Sequence, residues 1–238
     1  MPVIPSKLPR RYHAHLSAGY ARLRLFLPKP PSGPAAVIDP GALLYPHTVW
    51  DLDLNRLLEG KTLLQATRRH GWSYYFHDER GKLTAAKLQI SPGQHESISF
   101  AEGLFVRKLV GLIEQVHADP RLKRTKVELR TLFVPPLHFA CIWLRVAKGS
   151  AARGARTEDI FVPATRSPGN STARSAQIFG KWISAQELLP LLLEQGRSLR
   201  ASQQRSAELL KGLRPEHKPK PNIPPRKPGN PRRPARAN

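Results

Sequence analysis

The sequence predicts an α+β domain: an antiparallel sheet of about 5 strands, with helices packed on it and basic, proline-rich segments at either end. Three observations carry this expectation. The stretch from Ile98 to Val146 reads as one strongly patterned helix followed at once by two strand-like runs. Short runs suited to a pleated surface come before and after it. The overall order of helix, hairpin, helix and three strands argues against alternating βαβ units.

From the amino terminus, residues 1–40 form a basic arm with eight prolines, and the alternation of Ala21, Leu23, Leu25 and Leu27 with Arg22, Arg24 and Phe26 has the period of a short strand over 20–27. Pro28 to Pro40 reads as a linker. Between Asp51 and His70 the spacing of Leu54, Leu57, Leu58 and Leu64 predicts a helix, with Asp53 as cap, Gly60 as a weak point and Gly71 as a stop. Trp72 to His77 and Leu83 to Ile90 predict a hairpin turning at Asp78-Glu79-Arg80-Gly81. Ser99-Phe100-Ala101-Glu102 has capping-box spacing, so a helix is expected to open there, carry the stripe Phe105, Leu109, Leu112 and Val116, and end at Asp119-Pro120.

Next, Lys126, Glu128 and Arg130 alternate with Val127, Leu129 and Thr131, predicting a strand with one wet and one dry face. Leu137 to Val146 is apolar on both faces and predicts a central strand, with Pro135-Pro136 as a corner. Ile160, Phe161 and Val162 suit a last strand beside it. Ser184-Ala185-Gln186-Glu187 is a second capping box, opening a helix that holds Pro190 and runs on as an amphipathic extension. The expected organisation is an arm over 1–40, a domain over 41–193, a helical extension over 194–213 and a disordered tail over 214–238.

Charge is the dominant compositional fact: 39 Lys and Arg against 17 Asp and Glu give +22. Residues 211–238 alone carry nine basic and one acidic side chain, with eight of the 24 prolines. Proline at that density favours extended, polyproline-like chain. Cations on such segments can follow a polyanion and release its condensed counterions without a shaped pocket. The candidate nucleic-acid contacts are Lys218, Lys220, Arg226, Lys227, Arg232, Arg233 and Arg236, helped by Arg10 and Arg11 at the other end and by Lys148, Arg153 and Arg156 in a basic loop. The expected function is therefore non-enzymatic binding of nucleic acid or ribonucleoprotein, largely independent of base sequence.

Two alternatives stand beside it. One is a protein-interaction or adaptor module whose folded surface does the specific work while the tails solubilise or tether it; Pro221-Asn222-Ile223-Pro224-Pro225-Arg226 also has the PxxPxR form that aromatic grooves accept, which suits a protein partner for the tail. An enzyme of unrecognised design is the other. Cys141 lies near His138, but on a strand they face opposite sides, and a single cysteine in an apolar strand reads as core. His13-Xaa-His15 on extended chain would place both rings on one side, yet nothing supplies the further ligands zinc wants. No Walker loop, GxGxxG or GxSxG is present. No cofactor and no metal are expected. The absence of a long apolar window or an export signal predicts a cytoplasmic protein without a transmembrane segment.

Overall fold

The computed structural model describes residues 3–4, 11–25, 42–78, 80–90, 97–123, 125–147, 158–165 and 178–212. The chain divides into two compact units, 1–198 and 199–238. The first is an α+β unit on one mixed sheet; of the second, residues 199–212 are described and helical.

Among the described residues the sheet has nine strands: β1 Val3–Ile4, β2 Leu44–Leu52, β3 Thr67–His77, β4 Leu83–Gln89, β5 Ser97–Glu102, β6 Val127–Val134, β7 Phe139–Val146, β8 Ile160–Pro163 and β9 Ile183–Ser184. Eight of them run in the order β5-β4-β3-β2-β6-β7-β8-β9. The expected sheet of about 5 antiparallel strands is thus too small and too uniform, because β2 and β1 both pair with β6 in parallel. β2 was not foreseen. Its sequence Leu44-Tyr45-Pro46-His47 carries a proline at an irregularity in the β2–β3 register, and Tyr45 has φ 49°, a left-handed conformation costly for a bulky residue. β1 pairs with β6 at Val127 and Glu128, just beyond the Thr48–Arg130 pair where the β2 ladder starts.

Helix α1, Arg11–Leu25, replaces the strand expected over 20–27. The longer spacing decides: Tyr12, Leu16 and Tyr20 recur every four residues and are all buried, which a strand cannot do on one face. Tyr12 packs on Trp72, and Tyr20 on Phe76 and Phe100. On a helix, positions 13 and 15 fall on different sides, so the paired-ligand geometry expected of extended chain does not apply. Residues 1–40 are therefore not wholly a free arm, since Val3 and α1 are built into the first unit.

The helix expected over 51–70 is two short ones, α2 Leu54–Leu58 and α3 Leu63–Ala66, parted at Gly60, whose φ of 85° suits only glycine. Asp53 caps α2 as foreseen, accepting from the amides of Asn55 and Arg56. Gly71 does not stop anything: β3 runs through it. The hairpin at 78–81 is present, closed by Asp78 N–H donating to Lys82 O.

Ser99 and Glu102 do not cap a helix but belong to β5, and α4, Leu104–Ala118, starts after Gly103 at φ 108°. The period-two burial of Ile98 and Phe100 under α1, with a full ladder to β4, wins over the local capping box. Asp119-Pro120 ends α4 as expected. Pro135–Leu137 forms a single 3-10 turn at the foreseen corner, and β7 is central, flanked by β6 and β8. Ser184 and Glu187 form the capping box of α5, Ala185–Gly212, which continues through Pro190.

The two faces of the sheet are covered differently. Helix α4 packs Val106, Leu109, Ile113 and Val116 against Val127, Leu129, Ile142 and Leu144 on one face. On the other, α1 lies over β3, β4 and β5. Among the described residues no helix is long and apolar enough to cross a membrane.

Candidate functional site

Two polar clusters interrupt these apolar layers. On the α4 face, β2–β3 and β3–β4 registers put His47, Ser73 and Lys87 in one row across the sheet. His47 is fully buried and stacked on Tyr75. Its Nδ1 lies 2.7 Å from the Tyr45 carbonyl oxygen and its Nε2 lies 2.8 Å from Thr131 Oγ1. A carbonyl only accepts, so Nδ1 carries the proton and the Thr131 hydroxyl donates to Nε2. Burial drives the imidazole pKa down to about 4, so the ring is neutral at pH 7. The Thr131–His47 pair has the spacing of a nucleophile and its base, but both are buried and both ring nitrogens are engaged. The geometry is that of a closed polar network within the core.

Beside it, Lys87 holds its ammonium 4.3 Å over the Phe133 ring, and burial lowers its pKa against the opposing pull of Asp51. Asp51 in turn holds His70 Nδ1 at 2.6 Å. Among the described residues no group of three His, Cys, Asp or Glu side chains is placed to hold a metal ion.

On the α1 face, Arg130 was expected to point into water and does the opposite. Its side chain is 7% exposed, with the guanidinium carbon 4.5 Å from the Trp50 ring and 4.7 Å from the Trp143 ring. Nη2 donates to Glu128 at 2.6 Å, while Nε and Nη1 have no hydrogen-bond partner among the described residues. Trp143 Nε1 donates to Asp159, which also accepts from the Val146 amide. Cys141 is buried in the same strand, and burial pushes its thiol well above the ordinary range, which suits a core residue rather than a nucleophile.

The carboxylates of the described residues are largely committed. Asp53 and Glu187 cap helices, Asp78 and Glu102 hold Arg80, Asp119 holds Arg121 and Glu114 accepts from Tyr45. With Asp51, Glu128 and Asp159, nine of 13 described Asp and Glu side chains are engaged, and Glu59, Glu158, Glu194 and Glu208 are exposed.

Of the cations singled out in the sequence, Arg10, Lys148, Arg153, Arg156, Lys218, Lys220, Arg226, Lys227, Arg232, Arg233 and Arg236 lie outside the described residues, and Arg11 is the first residue of α1. Of these cations the structure describes Arg11 alone. The clusters it does show, around His47 and Arg130, gave no local sequence signal, because their members meet only through sheet register. No protein-family model matches the chain, and searches of curated proteins and of solved structures return no match.

Proposed function

We propose that this is a non-enzymatic nucleic-acid-binding protein that grips the phosphate backbone through its basic segments, above all residues 214–238. The supporting observation is how charge is distributed along the chain. The 80 residues outside the described set carry 17 Lys and Arg against four Asp and Glu, while the described body itself carries 22 against 13. Because Asp78, Glu102, Asp119 and Glu128 are already ion-paired with the body's own arginines and the body itself keeps an excess of cations, it offers few carboxylates to neutralise the segments. Counterion release then supplies the affinity. Without aromatic residues after Trp182, the tail cannot stack bases, so binding is largely indifferent to base sequence.

The test is a filter-binding titration of single-stranded RNA and duplex DNA at several salt concentrations. It compares the full chain with a full-length variant in which Lys218, Lys220, Arg226, Lys227, Arg232, Arg233 and Arg236 are all glutamine. With about six phosphates contacted, the logarithmic salt slope is expected to be roughly −4 to −5, and it should flatten in the variant. Binding that ignores salt, or that the seven substitutions leave unchanged, overturns the proposal and favours a protein-interaction module whose folded surface does the specific work while the tails only solubilise or tether it.

A further inference from the structure

The two ends of the sheet are not finished alike. At one end β9 is only two residues long, and a strand that short offers little ladder to a second chain. At the other end lies β5, six residues in unbroken register with β4 from Thr84–Glu102 to Gln89–Ser97. No described strand pairs with its outer edge. Half of its backbone N–H and C=O groups therefore point away from the sheet without a ladder partner among the described residues.

Proteins ordinarily blunt such an edge with lysine, proline or a bulge. Residues 97–101, Ser-Ile-Ser-Phe-Ala, contain no charge and no proline, and the β4–β5 register shows no shift. Ile98 and Phe100 are only half-buried beneath α1. Directly after the strand, Leu104 is 62% and Phe105 37% exposed, extending the apolar strip past the end of β5.

We infer that β5 is a homodimer interface, pairing antiparallel with β5 of a second copy about a two-fold axis through Ser99. The sequence is self-complementary in that register. An axis perpendicular to the sheet keeps each face on its own side, so opposed residues must share a face, and Ser99 opposes Ser99 of the second copy. Ile98 then lies opposite Phe100 of the other copy, and Phe100 opposite Ile98. Two apolar cross-strand pairs form on the α1 face, with only Ser and Ala on the other. No like charges meet within the paired residues. The chain's own carboxy-terminal tail is a poor competitor for this edge, because eight prolines in residues 211–238 cannot donate to a ladder.

The test uses nuclease-treated full-length protein in high salt, so that nucleic acid cannot bridge copies. Light scattering across concentrations up to about 100 µM is expected to show the mass doubling, and Ser99→Lys, which sets two ammonium groups opposite each other, should raise the dissociation constant at least about tenfold. Ser99 is exposed, so a melting temperature equal to the parent's at a dilution where both are monomers verifies that the variant folds. Under mild oxidation Ser99→Cys should form a disulfide-linked dimer, because opposed Cα atoms about 4.5–5.5 Å apart fall within disulfide range. Ser97→Cys should not, because its own counterpart lies about four residues, roughly 13 Å, along the partner strand. A monomer at every concentration, a dimer indifferent to Ser99→Lys, or equal cross-linking of the two cysteine variants overturns the inference. The nucleic-acid titration is read separately, so either proposal can fail alone.

Discussion

Replacing Arg130 with methionine is expected to leave stability within about 1 kcal/mol of the parent or to raise it, although a buried charged side chain is lost. The ledger is local. Two guanidinium nitrogens, Nε and Nη1, are buried without partners, at a cost of about 1–3 kcal/mol each. Against this stand two ring contacts, at 4.5 and 4.7 Å, of about 1 kcal/mol each. The ion pair to Glu128 adds under about 1 kcal/mol, because that carboxylate is 33% exposed and can be rehydrated. Methionine fills most of the same slot between Trp50 and Trp143 and gains sulfur–aromatic contact. Arg130→Ala instead leaves a gap between two indoles and should cost about 2–4 kcal/mol. Glu128→Gln keeps an acceptor for Nη2 but removes the guanidinium's counter-charge and should cost about 1–3 kcal/mol. Urea unfolding of the three variants, followed by tryptophan fluorescence, gives the order directly. A loss above about 3 kcal/mol for Arg130→Met would refute the reasoning, because it would mean that the two open nitrogens are satisfied in solution.

Two further outcomes follow from buried geometry. The folded pKa of His47, about 4, lies below its unfolded value of about 6.5, so the unfolded chain binds the extra proton and stability falls as pH drops from about 6.5 towards 4, by about 3 kcal/mol in full. His47→Gln, whose amide can donate to Tyr45 O and accept from Thr131, should flatten the melting-temperature profile in that window; parallel profiles would show that the imidazole does not titrate with unfolding. At Gly71 an added Cβ would sit 1.8 Å from the Leu88 carbonyl oxygen across the β3–β4 ladder, so Gly71→Ala should cost more than about 4 kcal/mol, and a variant that melts within a few degrees of the parent would contradict this packing.

How far the fold could be read beforehand depends on the range over which each decision is made. Asp53 at the start of α2, Asp119-Pro120 at the end of α4, Pro135-Pro136 at the corner and the Ser184–Glu187 box are local, and each does what its chemistry dictates. So does β7, because Phe139 to Leu144 is apolar on both faces and has to lie inside a sheet. Failures occur where two local signals compete. Residues 21–27 alternate as a strand would, yet Tyr12, Leu16 and Tyr20 give a longer helical period whose burial is worth more. Ser99 and Glu102 have capping-box spacing, yet Ile98 and Phe100 gain a complete ladder to β4 and a cover from Tyr20 by staying extended.

The polar clusters failed to show for a single reason, the position of β2. Its sequence, with Pro46 and His47 near the start and Asp51 near the end, does not resemble a central strand, and only a register irregularity and a left-handed Tyr45 allow it to be one. Once it is inserted between β3 and β6, it carries His47 to Thr131 across 84 residues of sequence and sets Trp50 over Arg130. Arg130 is then dry, because Trp50 on β2 and Trp143 on β7 close over the slot from its two neighbouring strands. A residue that alternation marks as wet is thus buried by partners that no window around it contains. The same dependence makes the parallel β2–β6 pairing the contact on which both clusters stand, so a substitution that breaks it should disturb the His47 and Arg130 environments together.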